Sequence, residues 1–255
     1  MAQDDAGADP IGGRTLTSVV YERLRKEILN ARLLPGEKLN ISQLSKRFAV
    51  SLAAVRESLS RLAADGLVDA FDHRGFRVSS VSVEDLRDLT RTRIDIEGLA
   101  LRRSIENGDG HWLLSVKEAF EAMDALPYSD PSEGLMHNEA WIKAHRDFHL
   151  TLVRACDSQW LLHFREILYE RSERYRRLSI PLDYTKRDIR SEHQRIVEAV
   201  LRRDVDAAIE AMAEHFTTTM HHALQHKPVF SGHADELRPV RAGSATTASA
   251  SSVQR

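Results

Sequence analysis

The run LRKEILNARLLPGEKLNISQLSKRFAVSLAAVRESLSRLAADGLV, Leu24 to Val68, followed by RGFRV at 74–78, decides how the first third of the chain is read. Upstream of it, Val19, Val20, Leu24 and Ile28 recur at a helical period, with Thr15, Thr17 or Ser18 available as the N-cap. Pro35-Gly36 breaks that helix. A second helix is expected from Asn40 or Ser42, with Ile41, Leu44 and Phe48 on one side. After the interruption Ala49-Val50, Ser51 is a good N-cap for a third helix. Its buried stripe is Ala54-Val55, Ser58-Leu59 and Leu62, and Gly66 stands where it should stop. LVDAFDHRGFRVSSV then reads as two short strands around Asp72-His73-Arg74-Gly75. Three helices and a basic-tipped hairpin describe a winged helix-turn-helix over residues 14–80.

Composition agrees with a mainly α protein. The 255 residues are 42% hydrophobic, 29% charged and 6% aromatic, with 12 Gly and 7 Pro, too few turn formers and aromatics for an all-β architecture. No apolar run approaches the roughly 20 residues that cross a bilayer. The start, MAQDDAGADP, lacks the basic and apolar parts of a secretory signal, and a single cysteine, Cys156, fits a reducing cytoplasm. The net charge of −2 hides an asymmetry: residues 14–80 hold 12 Lys/Arg against 7 Asp/Glu, and residues 81–255 hold 24 against 28. A basic module joined to an acidic one suits a nucleic-acid reader attached to a second function. Residues 1–13 and the tail 228–255, which ends in AGSATTASASSVQR, are expected to be disordered.

In such a reader the third helix presents its first turn to the major groove and the wing lies on the backbone or minor groove. Arg56 would reach a guanine edge or a phosphate, and Arg61 and Arg74 a phosphate; Ser42, Ser51 and Gly75 complete the expected DNA-facing set. Any one of these arginines taken alone is equally a solvated surface charge.

The long run quoted above, with Leu34-x-Gly36-x-x-Leu39, Val50-Ser51, Val55-Arg56-Glu57, Gly66-Leu67-Val68 and Gly75-Phe76-x-Val78, resembles the N-terminal domain of GntR-superfamily transcriptional regulators. It is most similar to the FadR-type branch, which carries an all-helical FCD domain. One stretch departs: after Ser51 the family usually has Arg-Thr-Pro, whereas this chain has Leu52-Ala53-Ala54. The missing arginine removes one expected DNA contact, worth roughly 1–3 kcal/mol.

From Ser82 to about Gln225 apolar residues recur every three or four positions, and breaks near Gly108, at 126–134 and at Ile180-Pro181 divide the stretch into six or seven helices. This predicts an antiparallel bundle over residues 81–227. His145 and His149, four apart, stack on the apolar face of EAWIKAHRDFHLTLVRAC, while Asp147 points away. His193 shares a face with Ile196 and Val200, and His215 with Ala208, Met212 and Thr219. Four inward imidazoles on three helices suggest a divalent transition metal such as zinc, nickel or copper. Each alone is equally a hydrogen-bonded core residue, and periodicity does not bring three helices to one point. The resemblance implies more. FadR-type domains often hold a metal with an Asp-x-x-x-His pair and a histidine from each of two later helices. His149, His193 and His215 fall on the histidine positions, His145 stands where the aspartate is expected, and Ser158 replaces a common Asn.

Arg93 and Glu97 match a family position whose arginine faces the effector pocket; an i,i+4 surface ion pair is the alternative. An inward Arg93 beside an open metal position would suit a carboxylate. The expected protein is therefore a cytoplasmic transcription regulator, most often a repressor in this family. It would bind a palindromic double-stranded operator as a homodimer, hold zinc or nickel, and respond to a small organic acid. A direct metal-ion sensor is one alternative. A helical metalloenzyme is another, weakened because the sequence offers no nucleophile motif, no phosphate loop and no obvious general base beside the histidines.

Overall fold

A computed structural model describes residues 15–72, 74–128, 138–178 and 187–225. Both predicted tails, His73, and most of the predicted breaks at 126–134 and 180–181 lie outside those residues. The chain forms two compact units, whose described parts are 15–21 with 36–79, and 22–35 with 80–225.

The first helix, α1 (Leu16–Leu29), begins where the Thr15 hydroxyl accepts from the Ser18 amide at 3.2 Å. In the smaller unit Asn40 caps α2 (Ile41–Phe48) by accepting from the Gln43 amide at 3.1 Å. The helix ends at Ala49, which turns left-handed at φ 54°. The turn is tied by the Val50 amide donating to the Ser45 carbonyl and the Ser45 hydroxyl donating back to the Val50 carbonyl. Ser51 then caps α3 (Leu52–Ala64) through the Ala54 amide at 3.2 Å. At its far end Gly66, at φ 64°, and Leu67 donate to the carbonyls of Ala63 and Leu62, the double bond of a Schellman stop. Val55, Ser58, Leu59 and Leu62 are buried as the spacing predicts. The strands β2 (Val68–Phe71) and β3 (Gly75–Val78) form the wing. A third strand, β1 (Lys38–Leu39), pairs with β3 in the order β1-β3-β2, all antiparallel. Two residues give no periodicity, so nothing in the sequence announced β1.

The larger unit holds α4 (Val83–Asn107), α5 (Gly110–Asp124), α6 (Glu139–Val153), α7 (Gln159–Leu178), α8 (Ile189–Leu201) and α9 (Val205–Leu224). Side chains of Ser82, Asp109, Asn138, Asp188 and Asp204 cap five of them. The long α4 packs against α7 and α9, α9 against α8, and α5 against α6. Phe148, Leu152, Ile196, Val200, Met212 and Leu101 fill the middle. Arg203, in the left-handed region at φ 55°, donates to the Ile105 and Gly108 carbonyls and closes the C-terminal end of α4. Among the described residues no helix is long and apolar enough to cross a membrane.

One face of α4 carries charge into the bundle. Glu97, fully buried, accepts from Arg93 Nε at 2.8 Å and from Arg165 Nε at 3.4 Å. Arg93 also donates to the Ser172 hydroxyl and lies 4.0 Å over the Phe216 ring, while Arg165 reaches Glu166 at 3.2 Å. The Arg93–Glu97 pair is thus a core interaction and no surface i,i+4 pair. Removing the shared carboxylate strands two desolvated guanidinium groups. Glu97→Gln is expected to lower unfolding free energy by roughly 3–5 kcal/mol in urea titrations; a loss below 1 kcal/mol would mean that water reaches this cluster.

Candidate metal centre and nucleic-acid interface

The smaller unit presents its polar side chains where a helix-turn-helix needs them. Ser42 on α2, and Ser51, Leu52, Arg56 and Arg61 at and along α3, are exposed. Ser51 accepts from Ala54 as a cap, which leaves its hydroxyl proton free to donate. Leu52, where the family pattern has arginine, is 54% exposed, so an apolar side chain occupies the leading edge of α3. Arg56 stands out from the helix, whereas Arg61 lies 4.3 Å over the Tyr21 ring, and Tyr21 in turn donates to Asp65. At the wing Arg74 is exposed and Gly75 takes φ 87°, a conformation that glycine adopts without strain. Arg77 is turned back to the Gly36 carbonyl at 2.9 Å and belongs to the wing's framework.

In the larger unit the four predicted histidines meet. His145 and His149 come from successive turns of α6, His193 from α8 and His215 from α9; all are buried, and one ring nitrogen from each lies within 4.8 Å of the others. The ring centroids are 4.5–6.1 Å apart in pairs. Trp141, one turn before His145, stacks on its ring at 4.7 Å and sets the ring plane. The Nε2 atoms of His145 and His149 are 3.1 Å apart.

Burial, foremost, lowers the pKa of all four well below the ordinary imidazole value. Arg176 adds to it at His145, and at His215 the opposing pull of Glu192 leaves a value of about 4. The rings are therefore neutral near pH 7, each with one nitrogen lone pair. Neither ring nitrogen of His193, nor Nδ1 of His149, has a hydrogen-bond partner among the described residues. Apolar packing does not account for buried imidazoles left in that state. The donor set fits a divalent transition metal: nitrogen neighbours around tetrahedral zinc are about 3.4 Å apart, so a small inward movement of the rings suffices.

The surroundings hold residues that the sequence reading missed. Glu192 accepts from His215 Nδ1 at 2.8 Å and from Arg187 at 2.6 and 2.8 Å. This carboxylate–imidazole pair directs the other His215 nitrogen inward, the usual outer support of a metal-bound histidine. An acid that the spacing did not reveal thus stands beside the histidines. Glu192 is nonetheless a poor base: burial would raise its pKa, but the Arg187 and His215 hydrogen bonds overcome that and hold it at about 2. Arg176 on α7 contacts His145 Nδ1 at 3.1 Å and pairs with Glu173. A cavity of about 10 Å³ opens beside the cluster, lined by Arg93, Tyr169, Ser172, Glu173, Arg176 and Thr219 among others, and is large enough for one ion or water. Arg93 lines the cavity, with donors already engaged by Glu97 and Ser172. Ser158, in the place of the family's Asn, accepts from the Leu161 amide at 3.3 Å and caps the start of α7.

Comparison with known proteins gives two family matches along the chain. Residues 16–78 match the family described as bacterial regulatory proteins, gntR family, and residues 88–218 match the FCD domain. The uncharacterized HTH-type transcriptional regulator BphR of Paraburkholderia xenovorans is 37% identical over 217 residues, covering 85% of this chain and 89% of its own. The HTH-type transcriptional repressor GlaR of Escherichia coli is 33% identical over 212 residues, covering 80% and 94%. Among solved structures, E. coli McbR/YncC superposes with a TM-score of 0.64 at 23% identity, over 83% of this chain and 98% of that one, which supports the fold. The relatives are transcription regulators and not enzymes. Both domain matches and both relatives agree, and the chain belongs to the GntR family of transcriptional regulators with a C-terminal FCD domain.

Proposed function

We propose that the protein is a ligand-responsive regulator, most simply a repressor, that reads a palindromic operator as a homodimer. In this reading a divalent transition metal, zinc or nickel, is held by His145, His149, His193 and His215. A small organic acid bound beside it alters operator affinity. The observation that carries the reading is the set of buried, unpartnered imidazole nitrogens in a chain that also carries a helix-turn-helix.

On the DNA side, Arg56 would meet a base edge or phosphate, and Arg61 and Arg74 phosphates, with Ser42, Ser51 and Gly75 close to the backbone. Reaching a phosphate would cost Arg61 its position over Tyr21. On the effector side, a bound metal supplies a Lewis-acidic position for a carboxylate oxygen. Arg93 and Arg176 both line the cavity and would take the remaining carboxylate charge. Because the cavity has room for one ion only, an acid would enter by moving Arg176 off His145. A coupling of about 1–3 kcal/mol, or roughly 5–150-fold in operator affinity, is enough for regulation.

The same small cavity favours one alternative, in which the metal ion is itself the signal. Fluorescence anisotropy of a labelled duplex from upstream of the protein's own gene separates the two. The primary reading predicts that metal-loaded protein changes affinity only when a C3–C6 mono- or dicarboxylate is added; a full response to metal alone would establish the sensor.

Two substitutions test the parts. Arg56→Ala should weaken operator binding by about 1–3 kcal/mol, roughly 5–150-fold, and reduce its preference over random DNA. An unchanged preference would remove Arg56 from the reading surface. His149→Ala should lower bound metal, measured by mass spectrometry after dialysis, by tenfold or more; a full complement would mean that other residues are the ligands.

A further inference from the structure

From Glu22 onward α1 belongs to the larger unit, where an ion pair from Arg25 to Glu170 ties it to α7. Beside that pair, α1, α6 and α7 wall a groove of about 500 Å³. That is within the roughly 300–1,000 Å³ of small-molecule sites, whereas the cavity beside the histidines has about 10 Å³. The charges of the groove do not balance. Six cationic and four acidic side chains line it. Three of the acids are already bound, Glu170 by Arg25, and Glu139 and Glu173 by Arg177. Arg146 is taken by Glu166. Arg23 and Lys26 on α1 and Lys143 on α6 are exposed and have no ion-pair partner among the described residues. The fourth acid, Glu22, is exposed on α1. The carboxyl of Glu139 is held below its ordinary pKa, by the Arg177 hydrogen bond foremost and also by the charges of Lys26 and Arg32. Leu29, Ile142 and Tyr169 line the groove as well and are buried. The Tyr169 hydroxyl accepts from Arg176 at 3.4 Å and keeps its proton to donate.

We propose that this groove is a second ligand site, which takes a small polyanion of two or three charges between Arg23 and Lys26 on one wall and Lys143 on the other. Carboxylates and phosphates share the chemistry recognised here, oxygen acceptors for ammonium and guanidinium donors. A concave wall focuses the field of the three cations, and the buried tyrosine hydroxyl adds a neutral donor. A duplex would meet the exposed cations but not the buried Tyr169, so a small molecule is the better occupant. The site is separate from the metal-bound acid proposed above and does not depend on it. The two are nonetheless neighbours, because Tyr169 and Glu173 line both cavities. Glu173 binds Arg177 in the groove and also Arg176, which contacts His145. An anion that competes with Glu173 for Arg177 would therefore bear on the histidine cluster through Arg176.

Calorimetric titration of the full chain tests this with two probes, tricarballylate for carboxylates and fructose 1,6-bisphosphate for phosphates, each taken to about 5 mM. The expected result is a Kd below about 1 mM for at least one probe. It should weaken by about tenfold or more in the double variant Lys26→Gln, Lys143→Gln, weaken between about 50 and 300 mM salt, and persist in His149→Ala. Both lysines are exposed, so the double variant should fold. Whichever probe binds names the source of the anion. Binding that the double variant retains overturns the groove, and its loss in His149→Ala would then assign the anion to the histidine cavity. No binding of either probe overturns the proposal too; if the double variant also loses operator affinity, the lysines serve DNA phosphates instead.

Discussion

His193 is buried with both ring nitrogens unpartnered, and His149 with one. Leaving a buried polar group without a partner costs about 1–3 kcal/mol each. Protonation offers no escape, because burial and the nearby guanidinium groups disfavour the charged rings. The centre of the bundle therefore carries a cost of a few kcal/mol, part of which a bound metal ion would relieve by taking one lone pair from each ring. In the reading proposed above, folding of the larger unit and metal occupancy would be coupled through that term.

Around the four imidazoles, charge is arranged in pairs. Arg93 and Arg165 meet Glu97, Arg165 also meets Glu166, Arg176 meets Glu173, and Arg187 meets Glu192. Each carboxylate is engaged by arginine, so none remains to neutralise a metal bound by neutral histidines. The family pattern would put an aspartate at the position of His145. With histidine there, a bound divalent ion would keep its full charge, and an anion from solution would be its natural counterpart. Four nitrogens close a tetrahedral zinc site, whereas octahedral nickel would retain two open positions for a carboxylate. Arg176, which sits on His145, is the cation best placed to exchange one partner for another.

Much of this was legible in the sequence, for identifiable reasons. Ser51, Gly66, Ser82 and Gln225 marked helix boundaries because caps and stops are local chemistry. The inward direction of all four histidines followed from a period of 3.6 residues on helices with clear apolar faces. What periodicity lacked was the third dimension. Glu192, Arg187 and Arg176 reach across helices, and their partners lie 23 to 32 residues away, too far for spacing rules to pair. The Arg93–Glu97 pair had the spacing of an ordinary surface bridge, and only the packing of α7 and α9 on α4 buried it.

The most direct test is X-ray absorption spectroscopy at the metal edge of loaded protein, wild type beside His145→Ala. Four converging histidines predict an imidazole-dominated shell at about 2.0–2.1 Å that loses one imidazole in the variant. A spectrum unchanged by the substitution, or a shell made mainly of oxygen, would contradict the four-histidine centre.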